Sequence, residues 1–520
     1  MLDDPQVCYQ ALRARDERFD GRMFVGVTST GVYCRPICPA RPARLENCRF
    51  FGSAAAAQEA GFRPCLRCRP ETAPDAGAWR LTSNTVSRGL ALIGDGELDG
   101  PEASVDILAA RLGLGGRQLR RLFRQHLGAS PLAVAQTRRV LFAKQLIHDT
   151  ALPMAEIALA AGFGSIRRFN ESFQKLYARP PSALRRRYVV ALGAGTVAST
   201  GVTVRLRYRP PYDWAAMLTH LRRRAVEGVE RVEEATYCRT IVHEGECGTV
   251  RVVPLPDLHS VAATVRFPNV GALPAIIARL RRLFDLGADV VGIGAHLSRD
   301  PLLAPLIAAR PGLRAPGGWD GFEVGVRAIL GQQVSVEAAR VLAGKLVRLC
   351  GRVLPAEARE ASEDPAVSSE RALSMAFPGA AQVARADLTS LPMPGARRRA
   401  LFALAEASLA DPRLFQPLAT VEETVARLRA IPGVGDWTAH YIALRAVREP
   451  DAFPAGDVGL LRGASGKSKS KSKSKSESNS TRTKGNRWTP AQLQSRAEGW
   501  RPWRAYAAQH LWTADAAISS

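Results

Sequence analysis

Two short cysteine pairs near the start of the chain, Cys34-Arg-Pro-Ile-Cys38 and Cys65-Leu-Arg-Cys68, constrain the fold more than any other feature. Each knuckle can present two sulfurs to one ion, and four thiolates close a tetrahedral zinc shell. Residues 1–75, which hold both knuckles among short turn-rich segments, therefore read as one small zinc module. On spacing alone the module could be a purely structural knot. Nine cysteines in all, an odd number clustered toward one end, argue against a disulfide framework. Cys48 reads as a small packed residue rather than a ligand.

At 520 residues the chain is too long for one core. Lys and Arg number 72 against 48 acidic residues, a formal net charge of +24, which favours a polyanionic partner. A membrane surface is the weaker candidate. No apolar run reaches the roughly 18 residues that a spanning helix needs, and no cleavable signal is visible. A cytoplasmic, nucleoid-associated protein is expected.

Residues 81–188 carry apolar positions at helical spacing throughout. Two helix–Gly turn–helix patterns lie within them, Val105 to Phe123 and Met154 to Phe173. Their second helices carry Arg117, Gln118, Arg120, Arg121 and Arg124, then Arg167, Arg168 and Asn170. A second helix of this kind enters the major groove, where Arg, Gln and Asn reach base edges. A small-residue stretch at 191–202 separates this unit from 203–310, where strand-like and helical patterns alternate. Residues 311–520 return to helix, broken by an alternating Lys-Ser tract. The insert at 465–487 cannot bury enough apolar surface to order itself and is expected to be a disordered loop. Without its basic run, from Lys467 to Arg487, the net charge is still +17.

Ile431-Pro432-Gly433-Val434-Gly435 follows one amphipathic helical pattern and opens another. Glycines at such a turn expose backbone N–H groups to a phosphate, so Pro432, Gly433 and Gly435 read as a helix-hairpin-helix gripping DNA backbone. Asp457 stands in a Gly/Pro turn further on. Alone it would read as a helix cap.

Thr30-Gly-Val-Tyr-Cys34-Arg-Pro-Ile-Cys38-Pro-Ala-Arg41 and Gly61-Phe-Arg63-Pro-Cys65-Leu-Arg67-Cys68 resemble the N-terminal domain of the Ada proteins, which takes methyl groups from DNA methylphosphotriesters. The resemblance implies that Cys34 is the acceptor and a metal ligand, with Cys38, Cys65 and Cys68 completing the zinc site. Zinc would keep Cys34 a thiolate at neutral pH. Four thiolates on Zn²⁺ sum to −2 and repel an ordinary phosphate, whereas a methylated phosphate is neutral. After transfer the site falls to −1 and DNA affinity should rise. Transfer would be stoichiometric. Arg41, Arg63 and Arg67 are candidate phosphate clamps.

The tandem helical unit resembles the AraC-type DNA-binding domain. The C-terminal half is similar to AlkA-type alkylbase glycosylases of the helix-hairpin-helix superfamily. Tyr208-Arg-Pro-Pro-Tyr-Asp-Trp214, Phe322-Glu-Val-Gly-Val-Arg-Ala-Ile-Leu-Gly-Gln-Gln-Val-Ser335 and Trp500-Arg-Pro-Trp-Arg504 carry that likeness. It implies that Asp457 is catalytic and that Trp437, Tyr441 and Trp512 line a pocket for a flipped base, although each aromatic could equally be core. A cation over such rings is attracted by about 0.5–2 kcal/mol. Bifunctional relatives carry Lys where this chain has Trp437, so a monofunctional enzyme is expected. No Cys follows Cys350, so no iron–sulfur cluster is expected. Two positions depart from the pattern. Gln333 stands where an apolar wedge enters the duplex, and His220 where a pocket aromatic is expected.

The resulting expectation is multidomain: a small zinc-bound α+β module (1–75), an all-α tandem helix-turn-helix (81–188), an α+β cap (203–310) and an all-α helix-hairpin-helix glycosylase core (311–520). Its partners are double-stranded DNA, damaged or promoter, and RNA polymerase if methylation activates transcription. A monomer is expected. The activities implied are type II 3-methyladenine release and methylphosphotriester repair, without O6-methylguanine repair because no Pro-Cys-His-Arg motif is present. The rival reading is a methyl-sensing regulator whose glycosylase half only holds DNA.

Overall fold

The computed structural model describes residues 4–74, 84–99, 103–185, 201–355, 372–466 and 488–519. Most of the Lys-Ser tract, 467–487, lies outside them. Two compact units emerge. One holds residues 1–209, 228–281 and 354–376; the other holds 210–227, 282–353 and 377–520. No helix among the described residues is long and apolar enough to cross a membrane.

In the first unit, strands Phe24–Val27, Val32–Cys34, Cys48–Phe51 and Arg63–Pro64 form a small sheet with the third strand at one edge and the fourth at the other. Gly31 closes the hairpin at φ +65°, a left-handed conformation that suits a residue without Cβ. Two small cores flank this sheet. Cys8, Leu12, Met23 and Val25 form one, and Phe24, Tyr33, Ala57 and Phe62 the other. Cys48 is half-buried against the first of these cores, its thiol reaching the Arg44 carbonyl at 3.3 Å, and it is not one of the four clustered sulfurs.

Helices Val105–Arg111 and Gly116–Leu127 form the first helical pair, and Met154–Ala160 with Ile166–Tyr177 the second. Leu119, Phe123 and Leu127 recur every four residues and are buried, as are Phe169, Phe173 and Tyr177. The same periodicity turns Arg117, Gln118, Arg120, Arg121 and Arg124 outward on one helix and Arg167, Arg168 and Asn170 outward on the other. Arg120 and Arg167 also approach Asp106 and Glu171, at 3.5 and 2.8 Å.

The long helix Pro131–Asp149 joins the pairs and carries the zinc module on its flank. Ser53 Oγ donates to Leu127 O at 2.6 Å, and Ser130 Oγ to Glu59 at 2.9 Å. Lys144 is fully buried, donating to Cys65 O at 2.9 Å and to Glu71 at 2.6 Å. Arg69 bridges Glu71 and Asp149, both at 2.9 Å. Removing one partner of such a buried pair strands the other charge. Glu71→Ala should therefore destabilise this unit by about 3–5 kcal/mol in denaturant unfolding; a loss under about 1 kcal/mol would contradict the burial.

A five-stranded antiparallel sheet completes the unit, in the order Val202–Arg207, Ser260–Arg266, Glu246–Leu255, Thr236–His243, Glu230–Glu233. The second unit is predominantly helical. Buried charge pairs brace it: Asp285 with Arg448 at 2.7 Å and Asp451 with Arg504 at 2.7 Å.

Candidate metal centre and carboxylate cleft

Strand register explains why the two knuckles meet. Cys34 pairs with Val25 at the end of the hairpin, and Val32–Cys34 runs parallel to Arg63–Pro64. Cys65 N then donates to Tyr33 O at 2.9 Å, which puts the second knuckle beside the first. The sulfurs of Cys34, Cys38, Cys65 and Cys68 all lie within 4.8 Å of one another. A zinc–sulfur distance of about 2.3 Å separates the corners of a tetrahedron by about 3.8 Å, so donor type, number and spacing all fit zinc. These four cysteines are the zinc site of the N-terminal module.

Backbone N–H groups reinforce it: Arg35 N donates to Cys68 Sγ and Arg67 N to Cys65 Sγ, both at 3.3 Å. The Arg35 guanidinium is buried behind the knuckles, paired with Asp20 and bonded to Cys68 O at 3.1 Å and Thr72 Oγ1 at 2.8 Å. Hydrogen bonding among the thiols pushes Cys34 up, chiefly through Cys38, and pulls Cys38 down to about 7, chiefly through Cys34. Four sulfurs this close can all ionise only around a cation. Cys38, Cys65 and Cys68 are buried, whereas Cys34 is partly exposed. Arg41 and Arg67 are exposed near this edge in sequence, and Arg63 is half-buried.

In the second unit, Asp457 caps the helix Val458–Ser465, its Oδ1 accepting from Leu460 N at 3.0 Å. Capping is only one of the contacts this carboxylate makes. Trp512 Nε1 donates to the same oxygen at 2.8 Å, and Trp437 Nε1 donates to Oδ2 at 2.6 Å. Trp437 and Tyr441 stack at 5.3 Å between ring centres, and Trp512 meets Tyr441 edge-on at 6.2 Å. All four residues are partly exposed, so a carboxylate and three rings form one part-exposed cluster. His220 is half-buried; burial, then the charges of Arg224 and Arg445, hold its imidazole well below its usual range.

The helix-hairpin-helix forms from Val421–Arg429 and Asp436–Ile442. Pro432, Gly433 and Gly435 are exposed at its turn. Gly433 sits at φ +85°, and a Cβ there would lie 2.4 Å from Ala400 Cβ, so only glycine fits. Space around Gly435, the cap of the second helix, is open. Gln333 is exposed in the left-handed region at φ +57°. Its neighbour Gln332 bolts that loop to the hairpin, donating to Gly433 O at 3.0 Å and Thr438 Oγ1 at 3.1 Å. Arg397 holds Gln332 O at 2.6 Å.

Sequence reasoning missed Gln332, Lys144 and Arg445. The last had a legible signal: Trp437, Tyr441 and Arg445 follow at four-residue steps, one row along a helix. That helix passes into a π turn at Ala443–Val447, a device frequent at functional sites.

Three family models match the chain: the metal binding domain of Ada at residues 7–71, a helix-turn-helix domain at 108–187 and the AlkA N-terminal domain at 203–320. A probable bifunctional transcriptional activator/DNA repair enzyme AlkA of Mycobacterium tuberculosis is 40% identical, over 99% of this chain and 97% of its own length. DNA-3-methyladenine glycosylase 2 of Escherichia coli is 34% identical over 59% of this chain and 95% of its own. The bifunctional transcriptional activator/DNA repair enzyme Ada of Escherichia coli is 37% identical over 27% of this chain and 37% of its own. With one relative matched end to end and its component modules matched in order, this chain belongs to the bifunctional transcriptional activator/DNA repair enzyme family that fuses an Ada-type metal-binding and helix-turn-helix half to an AlkA-type half.

Proposed function

We propose that this chain hydrolyses the N-glycosidic bond of alkylated bases in DNA, 3-methyladenine among them, and takes methyl from DNA methylphosphotriesters on Cys34. The observation that carries the first activity is Asp457, held by two indole N–H groups within a part-exposed aromatic cluster. The hairpin of Pro432, Gly433 and Gly435 grips the backbone, and the loop at Gln333 fills the gap left by a flipped base. As the base departs, positive charge builds on the sugar, and the fixed carboxylate stabilises it or aligns the attacking water. With Trp437 where a Lys would be needed for a Schiff base, the enzyme is monofunctional and leaves the strand intact.

Partial exposure of Cys34 beside three buried sulfurs supports the second activity. Bound zinc keeps the cysteines as thiolates at neutral pH. Cys34 Sγ attacks the methyl carbon; the S–C bond forms as the O–C bond breaks, and a phosphodiester anion leaves with the electron pair. Each chain reacts once.

Transcriptional activation follows as a consequence. The zinc module sits on the helix that joins the two DNA-binding pairs, and a methyl on Cys34 removes one negative charge. Binding to promoter DNA should tighten about tenfold at low salt, read by titration of the chain before and after methylation. Arg117, Gln118, Arg120, Arg121, Arg167 and Arg168 then contact the duplex, and Arg41, Arg63 and Arg67 the phosphates at the zinc module. Equal affinity of the two forms, with unchanged induction in a Cys34→Ala strain, would remove the regulatory role.

A further inference from the structure

A buried cation already lies against the rings that should attract a cationic base. Arg445 is only 4% exposed, and its guanidinium lies 4.9 Å from the ring centre of Trp512 and 5.7 Å from that of Tyr441. It is locked there, donating to Pro316 O at 2.7 Å and to Gln509 Oε1 at 2.9 Å. Burial pushes it down to about 10, so it stays charged at neutral pH. Arg224 is a second cation at the same ring. Burial raises the Tyr441 hydroxyl, but the charges of Arg224 and Arg445, with their hydrogen bonds to it, lower it overall. Asp457 is the carboxylate bonded to the two indoles, Asp515 lies beside Trp512 paired with Arg462 at 2.8 Å, and burial holds the His220 imidazole well below its usual range.

Aromatic rings attract cations through their faces, and a guanidinium beside them spends part of that attraction. An incoming cationic base also meets direct repulsion, which a buried charge delivers with little screening. We propose that Arg445 is a specificity-determining residue: it offsets the pull of Tyr441 and Trp512 on positively charged alkylpurines, so that neutral damaged bases compete on near-equal terms. This rests on the glycosylase reading above. It reverses the simpler expectation that three aromatic rings make the cleft selective for cations. It also assigns the rings a different task, stacking any flat base regardless of charge, and leaves discrimination to the buried guanidinium.

The test compares single-turnover release of 7-methylguanine, a cation, with that of hypoxanthine, which is neutral, from matched duplexes by the full chain. Gln509→Glu is the gentlest variant, because it keeps the hydrogen bond to Arg445 and places a compensating charge against it. Two unit charges about 8 Å apart at an effective dielectric of about 20 are worth tenfold or more in a rate ratio. The cationic-to-neutral ratio should therefore rise about tenfold in Gln509→Glu and in Arg445→Gln, and stay within about twofold of wild type in Arg445→Lys. A ratio that does not move in Gln509→Glu overturns the proposal, even if Arg445→Gln fails to fold. So does a wild-type chain that releases 7-methylguanine but no measurable hypoxanthine. Release of neither base by the wild type would instead remove the glycosylase reading itself.

Discussion

Asp457→Asn should leave the protein folded and cut base release by a factor of about 10²–10³. The fold survives because Asn is also a good helix cap, able to accept from Leu460 N and from Trp512 Nε1 as the carboxylate does. One contact suffers. The amide NH₂ would face Trp437 Nε1, itself a donor, at a cost of about 1 kcal/mol. What vanishes is the negative charge, and with it the stabilisation of a cationic sugar. Thermal unfolding and release from methylated duplex, measured on the same preparation, separate the two effects. An active Asn variant would mean that the carboxylate is only a cap.

Zinc removal should have the largest structural effect. Structural zinc contributes an apparent 10–16 kcal/mol or so to small domains, against a total stability of about 5–15 for a typical one. Residues 4–74 have two small cores and one metal-sized cluster, so chelation should unfold them. The damage should spread, because Cys65 O is also the acceptor that fixes buried Lys144 in the helix Pro131–Asp149. Hydrogen exchange of the chelated chain should show protection lost in both segments. Base release should persist, since Asp457 belongs to the other compact unit. Full protection with zinc stripped would contradict this account.

The zinc centre was legible because all its information is local: two short spacings, each able to present two sulfurs. The helical pairs were legible through four-residue periodicity, which buried Phe123 and Phe169 and exposed the arginines beside them. Asp457 was recognisable, but its two indole donors were not, since Trp437 lies 20 and Trp512 55 residues away. Lys144 was invisible for the same reason. Its partner Glu71 is 73 residues distant, and a lone Lys on a long helix reads as surface. Gln332 looked like a neighbour of the wedge position rather than the bolt that ties it to the hairpin. Charge placement was the hardest part. The pull of aromatic rings on a cation is written in residue type, whereas the guanidinium that opposes it depends on which way Arg445 packs.

The most direct test is one incubation of the zinc-loaded chain with methylated duplex DNA, analysed for both products. Chromatography of free bases and mass spectrometry of the Cys34 peptide report on the two halves together. The expected result is 3-methyladenine in multiple turnovers per chain and one methyl per chain, on Cys34. Absence of both free base and a methylated Cys34, from folded protein, would contradict it.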